Sequence, residues 1–254
     1  MIKNIIQNIL KKNGYEIIKP DTRLVKDGLP TDFDAKTITI IKKIKPYTLT
    51  TPERVASLIN AINYVVKNKI EGDIVECGVW KGGSSMAAMA ALIQENDLSR
   101  AVYLYDTYEG MSAPTAEDKV FTGTTAEQLL ETSKIEDSSS VWCYSSLDEV
   151  KENVATIGYP GNKIHFVKGK VEDTIPQQLP GKIAVLRLDT DWYESTKHEL
   201  EHLYPLLVSG GVLIIDDYGH WEGAKKAVDE YIEKHKIKIL LNRIDYTGRI
   251  AIKP

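Results

Sequence analysis

Residues 73–83 read Asp73-Ile74-Val75-Glu76-Cys77-Gly78-Val79-Trp80-Lys81-Gly82-Gly83, and their reading decides the fold. A short apolar run ends on an acid, glycines at 78, 82 and 83 allow a tight turn, and an apolar helix candidate over 83–95 follows. Strand, glycine turn and helix in that order begin a β-α-β unit. Downstream the same alternation returns. Asp73–Glu76, Val102–Asp106, Lys163–Val167, Ile183–Asp189 and Gly211–Asp216 read as strands, with helices near 83–95, 146–157, 194–207 and 222–235. Several of these strands are continuous apolar runs, as expected where a sheet is covered on both faces. The expectation is an α/β fold with a mostly parallel sheet and right-handed crossovers. Lys238–Arg243 and Arg249–Ile252 flank the turn Asp245-Tyr246-Thr247-Gly248 and read as a hairpin closing one edge.

Upstream of Asp73 the pattern changes. Ile2, Ile5, Ile6, Ile9 and Leu10 follow helical spacing over residues 2–12, as a packing helix, a dimer contact or a lid. Residues 20–50 look irregular, with Pro20, Gly28, Pro30 and Pro46. A second helix begins near Thr51: Thr50 or Thr51 can cap it, Pro52 suits the first turn, and Glu53 can complete a capping box. Ser146 with Glu149 reads as another box. The chain therefore divides into a helical N-terminal extension or lid, 1–70, and a sheet domain, 71–254.

Composition narrows the function classes. The 254 residues carry 32 Lys and Arg against 36 Asp and Glu, a formal charge of −4, which argues against a uniformly basic surface for nucleic acid or anionic lipid. The longest strictly apolar run, Met86 to Ile93, is too short to span a bilayer, and the start lacks the apolar core of a signal peptide. Cys77 and Cys143 are the two cysteines, so neither a disulfide framework nor a cysteine zinc cluster is expected, in keeping with a reducing cytoplasm.

In such a sheet, ligands bind beyond the carboxyl ends of the strands, where strand order reverses. Four of the strand candidates end on acids: Glu76, Asp106, Asp189 and the pair Asp216-Asp217. Like charges gathered there need a compensating cation. Glycines 78, 82 and 83 are not spaced as G-x-G-x-x-G, and Glu76 before them would repel a pyrophosphate. An ammonium-bearing ligand such as S-adenosylmethionine would instead be attracted. Asp106 stands one unit later, where an acid commonly binds ribose hydroxyls in nicotinamide and adenosylmethionine sites alike. Asp189, Asp216 and Asp217 offer hard oxygen ligands suited to Mg²⁺ or Ca²⁺. The plainer alternative is that these acids cap helices or pair with Arg187 and Lys225. Asp191 either joins Asp189 or caps the next helix.

His220 follows the acidic pair at the rim of the expected site, as a rim contact or a proton acceptor. His198 and His202 are four apart, but among Lys197, Glu199 and Glu201 they read as a solvated face. Trp80, Tyr193, Tyr218 and Trp221 either stack on a ligand or cover the core edge. Cys77 reads as a small packing residue. Neither a G-x-S-x-G elbow nor a phosphate-binding G-x-x-x-x-G-K loop is present.

The segments Ile74–Gly83, Tyr105-Asp106-Thr107-Tyr108-Glu109-Gly110-Met111, Leu188–Thr196 and Gly210–Tyr218 together resemble the macrocin O-methyltransferase family, over roughly residues 45 to 235. The resemblance implies a class I methyltransferase fold, Rossmann-like, with a seven-stranded sheet. It implies transfer of methyl from S-adenosylmethionine, with Mg²⁺, to a hydroxyl, often on a deoxysugar of a natural product. By resemblance, Glu76 and Gly78, with Gly82 beside them, belong to the cofactor's methionine side and Asp106 to its ribose. Asp189, Asp216 and Asp217 fall on the metal ligands, and Asp189 also on the proposed base, with His220 as the alternative. A small-molecule acceptor and a homo-oligomer are the expected partners. A nicotinamide oxidoreductase and a non-catalytic binding module are the competing readings.

Overall fold

The computed structural model describes residues 25, 26, 28–135, 137 and 140–254. The helix expected over 2–12, and the self-association inferred from it, lie outside these residues. The chain forms two compact units, Met1–Ile38 and Thr39–Pro254. In the described part of the first, β1 (Val25–Lys26) and β2 (Leu29–Pro30) pair antiparallel.

The second unit is built on a sheet of seven strands. These are β3 (Asp73–Cys77), β4 (Val102–Asp106), β5 (Ile164–Lys168), β6 (Ile183–Leu188), β7 (Leu207–Ile215), β8 (Asn242–Arg243) and β9 (Arg249–Ile252). Their order is β5-β4-β3-β6-β7-β9-β8, with β3 to β7 parallel and the β8–β9 hairpin antiparallel against β7. The chain leaves β3 toward β4 and β5, then crosses back to β6 and β7. The switch point therefore lies between β3 and β6, whose ends carry Gly78 and Asp189.

β6 shows why the sheet holds. All of Ile183–Leu188 is buried, and burying each large aliphatic side chain contributes about 1.5–3 kcal/mol. Alternation along the strands sorts side chains to two faces. Val75, Cys77, Leu186 and Leu188 join the core under the helices Tyr193–Leu203 and Glu222–Lys234, through Leu200, Leu203, Val228 and Tyr231. Glu76 and Arg187 face the other way, toward the helices Pro52–Lys67 and Gly83–Gln94. The helix Pro52–Lys67, expected in the N-terminal extension, belongs to the same compact unit as the sheet.

Several expectations shift. Ala35–Ile44 is helical, not irregular: its β-branched run imitates a strand, but Ile40, Ile41 and Ile44 fall on one helical face and are buried. β8 begins at Asn242 rather than Lys238, and Leu240 is left exposed. Thr51 caps its helix by accepting from Arg54 N, so the third helical residue is Arg54 and Glu53 completes no box. Ser146 caps Leu147–Ala155, while the Glu149 carboxylate turns to the Ser145 hydroxyl.

Candidate active site at the switch point

The carboxyl ends of β3, β4, β6 and β7 open into a cavity of about 510 Å³, within the usual range for small-molecule sites. One wall is the glycine turn after β3. A second is the segment after β4, which contributes Thr107, Met111, Ser112, Val141 and Cys143. This segment is far more than a crossover. It contains the helix Ala126–Thr132, closed by a Thr125–Gln128 capping box, and builds a small core of Val120, Ala126 and Leu130 against Trp192 and Trp221.

At the centre lies Arg187, a charged residue 3% exposed near the carboxyl end of β6. Register places it beside Glu76 of β3. Its Nη1 donates to Glu76 Oε1 at 2.6 Å and to Asp189 Oδ2 at 2.7 Å. Its Nη2 donates to Asp216 Oδ1 at 2.7 Å and to the Thr50 hydroxyl at 3.2 Å. Burial works against this charge, but Asp189, Asp216 and Glu76 hold its pKa well above the ordinary value. Arg54, from the first turn of Pro52–Lys67, pairs with the second oxygen of Asp216 and, at 3.0 Å, with Asp245 of the C-terminal turn. Asp216 is thus enclosed by two arginines.

Asp189, Asp191 and Asp217 stand together instead, each offering a carboxylate oxygen within 4.8 Å of the others. Asp217 Oδ2 is buried and has no hydrogen-bond partner among the described residues. Burial raises the pKa of all three. For Asp189 the charges of Asp216 and Asp217 add to it and Arg187 opposes; for Asp217 those of Asp191 and Asp216 add. Asp191 is pushed up to about 7, first by burial and then by the Asp189 charge. It also holds a φ of 67°, a left-handed conformation costing a non-glycine residue about 1–2 kcal/mol. Seven carboxylates (Glu76, Asp106, Glu172, Asp189, Asp191, Asp216, Asp217) line this cavity against Arg54, Arg187 and Lys170. Such an excess, with an unpartnered buried oxygen, fits a hard divalent cation.

The expected cofactor residues occupy several positions. Glu76 lines the cavity, with one oxygen held by Arg187 and the other by the Ser85 hydroxyl; burial raises its pKa against these bonds. Gly78 has a φ of 83°, and a Cβ there would collide with the Asp189 carbonyl, so glycine is what lets the two loops touch. Gly82 does not line the cavity. With a φ of 91° it starts the helix Gly83–Gln94, and it is Gly83 that reaches the cavity wall. Asp106 braces the glycine turn: Oδ2 accepts from Val79 N at 2.6 Å and Trp80 N at 3.0 Å, and Oδ1 from Tyr108 N at 2.7 Å. Trp80 Nε1 is buried without a partner among the described residues.

His220 lines the cavity half-buried, with Nδ1 3.2 Å from the Tyr246 hydroxyl. Burial, and then the Arg54 charge, lower its pKa. Trp221 packs edge-on against Trp192 and also lines the cavity, while the Tyr193 and Tyr218 hydroxyls bond Glu230 and Asp229 outside its lining. His198 and His202 stack and bond to backbone carbonyls, with no acid completing a metal set among the described residues. Sequence reasoning gave Arg187 only as an alternative partner for the acids and missed Arg54. The available signal was an arginine inside an otherwise apolar strand, since such a charge requires buried acids around it.

A family model described as Macrocin-O-methyltransferase (TylF) matches residues 32–251. Among curated relatives, the 8-demethyl-8-(2,3-dimethoxy-alpha-L-rhamnosyl)-tetracenomycin-C 4'-O-methyltransferase of Streptomyces olivaceus is 30% identical over 248 residues, spanning 98% of this chain and 89% of the relative. Mycinamicin III 3''-O-methyltransferase of Micromonospora griseorubida is 30% identical over 250 residues, spanning 98% of this chain and 92% of the relative. Of solved structures, the O-methyltransferase NovP matches with a TM-score of 0.71 at 30% identity over 82% of each chain. The calicheamicin methyltransferase CalS11 shares the fold, at 16% identity and a TM-score of 0.58 over 93% of this chain and 97% of its own.

Proposed function

Because this chain belongs to the macrocin O-methyltransferase family, it is an O-methyltransferase, and we propose that it uses S-adenosylmethionine and a divalent ion to methylate a sugar hydroxyl of a glycosylated small molecule. That membership sets aside the nicotinamide and non-catalytic readings. The sugar rests on relatives whose names place the methyl on a rhamnosyl group or at a 3'' position. The metal rests chiefly on Asp217 Oδ2, an unpartnered buried oxygen inside a carboxylate trio.

Glu76, Gly78, Asp106 and the unpartnered Trp80 indole nitrogen form the donor side, with Gly82 acting one step removed by starting the helix behind it. S-adenosylmethionine, when bound, supplies an electrophilic methyl on a sulfonium. Asp189, Asp191 and Asp217 would hold the divalent ion, which would supply Lewis acidity toward an acceptor hydroxyl. Asp216 gives way to Asp191 in this set, because both its oxygens are bonded to arginines. Arg187 ties the donor side to the metal side through Glu76 and Asp189, so both are positioned by one rigid group. In-line displacement depends mainly on such positioning. Asp189, bonded to Arg187, orients; His220 takes the hydroxyl proton. Its lowered pKa keeps it neutral near pH 7, and Tyr246 fixes Nδ1 and leaves Nε2 for the acceptor. Leu49 and Tyr246, 56% and 55% exposed on the cavity lining, offer apolar surface to the rest of the acceptor.

A methyl-donor assay over a panel of glycosides, with Mg²⁺ or with chelator, tests this. Asp217→Asn should lower kcat/KM about 100-fold or more, as expected when several kcal/mol of Lewis-acid stabilisation is lost, while S-adenosylhomocysteine still binds. Full turnover in chelator would falsify the metal role.

A further inference from the structure

On the opposite face of the sheet from Arg187 lies a buried acid with no part in the mechanism above. Glu199, in the helix Tyr193–Leu203, is 0% exposed and sits among the apolar side chains of that helix's core face. Its Oε1 accepts from the Thr190 hydroxyl at 3.0 Å. Cys77 is a second polar neighbour, the charges of Glu172 and Asp189 also act on it, and Oε2 has no hydrogen-bond partner among the described residues. A carboxyl group placed so deep with so few bonds is costly, and the hydroxyl that donates to it belongs to Thr190, between Asp189 and Asp191.

The loop Asp189–Asp191 is fastened from several sides. Asp189 N donates to the Cys77 carbonyl at 2.8 Å, and Trp192 N donates to the Thr190 carbonyl at 2.7 Å. Asp191 takes the left-handed conformation between these points. These anchors hold the loop by its backbone at Asp189 N and the Thr190 carbonyl, and the Thr190 hydroxyl adds a side-chain hold between the two carboxylates.

We propose that Glu199 is a positioning residue: by accepting the Thr190 hydroxyl from beneath, it holds Asp189 and Asp191 at the spacing a divalent ion requires. The proposal rests on reading Asp189, Asp191 and Asp217 as the metal set. Groups that orient metal ligands without touching the metal typically change its affinity 10–100-fold.

Calorimetric titration of the metal-free protein with Mn²⁺, and separately with S-adenosylhomocysteine, tests it. Thr190→Val and Glu199→Leu should each weaken Mn²⁺ binding about 10-fold or more, and the double variant no further than the single ones. S-adenosylhomocysteine affinity should stay unchanged. Glu199→Gln, which keeps an acceptor oxygen, should bind Mn²⁺ as the unaltered protein does. Thr190→Val removes one half-buried loop hydroxyl at nearly constant volume and decides the matter if Glu199→Leu does not fold. Mn²⁺ binding unchanged in Thr190→Val, or Mn²⁺ and S-adenosylhomocysteine affinities falling together, overturns the positioning role alone. Absence of Mn²⁺ binding in the unaltered protein overturns the metal reading and this role with it.

Discussion

At Gly78 a single missing methyl group joins two loops. The residue has a φ of 83° and leans on the Asp189 carbonyl, where any Cβ would collide. Gly78→Ala therefore combines backbone strain with displacement of the Asp189 loop. It should destabilise the protein by about 1–3 kcal/mol and weaken both S-adenosylhomocysteine and Mn²⁺ binding, read from the unfolding midpoint and from calorimetry. A variant that melts and binds normally would show the loops to be independent. Glu76, Asp106, Asp189, Asp216 and Asp217 all line the cavity, a placement legible because an acid ending an apolar strand must emerge at the sheet's edge. Which acids remain available to a cation was not legible. Asp216 is neutralised by Arg54, 162 positions away, and no local pattern reveals that partner.

Among the elements, the segment between β4 and the helix Leu147–Ala155 departs most from a simple crossover. Asp118, 0% exposed, organises it: Oδ1 accepts from Tyr193 N at 2.7 Å, Oδ2 from Thr115 N at 2.6 Å and from the Thr115 hydroxyl at 2.9 Å. It thereby caps the helix Tyr193–Leu203, whose own leading residue, Trp192, supplies no side-chain cap. Asp118→Ala should cost about 1–2 kcal/mol, seen in a lower urea midpoint, and should make residues 107–146 more open to limited proteolysis. Equal protease resistance in both proteins would mean that the hydrophobic contacts of Val120 and Leu130 hold the segment unaided. The strands of the sheet were readable from their apolar runs; this cover was not, because its core is completed by Trp192 and Trp221 from distant elements.

For the whole molecule, the acidic cluster sets how stability varies with pH. Asp191 titrates near 7 in the folded chain, and Asp189 and Asp217 are also raised. An unfolded aspartate titrates near about 3.9. Between those values the folded state binds more protons, so metal-free stability should fall as pH rises from about 4 to about 7 and stay low above. His220, with its lowered pKa, acts in the opposite sense, but as one group against several. A divalent ion held by these acids would take the place of the protons, so its stabilising effect should grow with pH. Melting temperatures from pH 5 to 8, in chelator and in Mg²⁺, should diverge toward alkaline pH; parallel curves would speak against a metal held by these acids.

Sequence alone determined the alternation of strands and helices, the antiparallel closing hairpin and the row of acids at the strand ends. These follow from hydrophobic periodicity and turn chemistry, which act over a few residues. Tertiary structure decided how those acids are divided. Arg187 and Arg54 enclose Asp216, while Asp189, Asp191 and Asp217 keep an unpartnered oxygen between them. The reason is physical: a carboxylate's charge is set by whatever lies within a few ångströms, and here those neighbours come from other strands, another helix and the C-terminal turn.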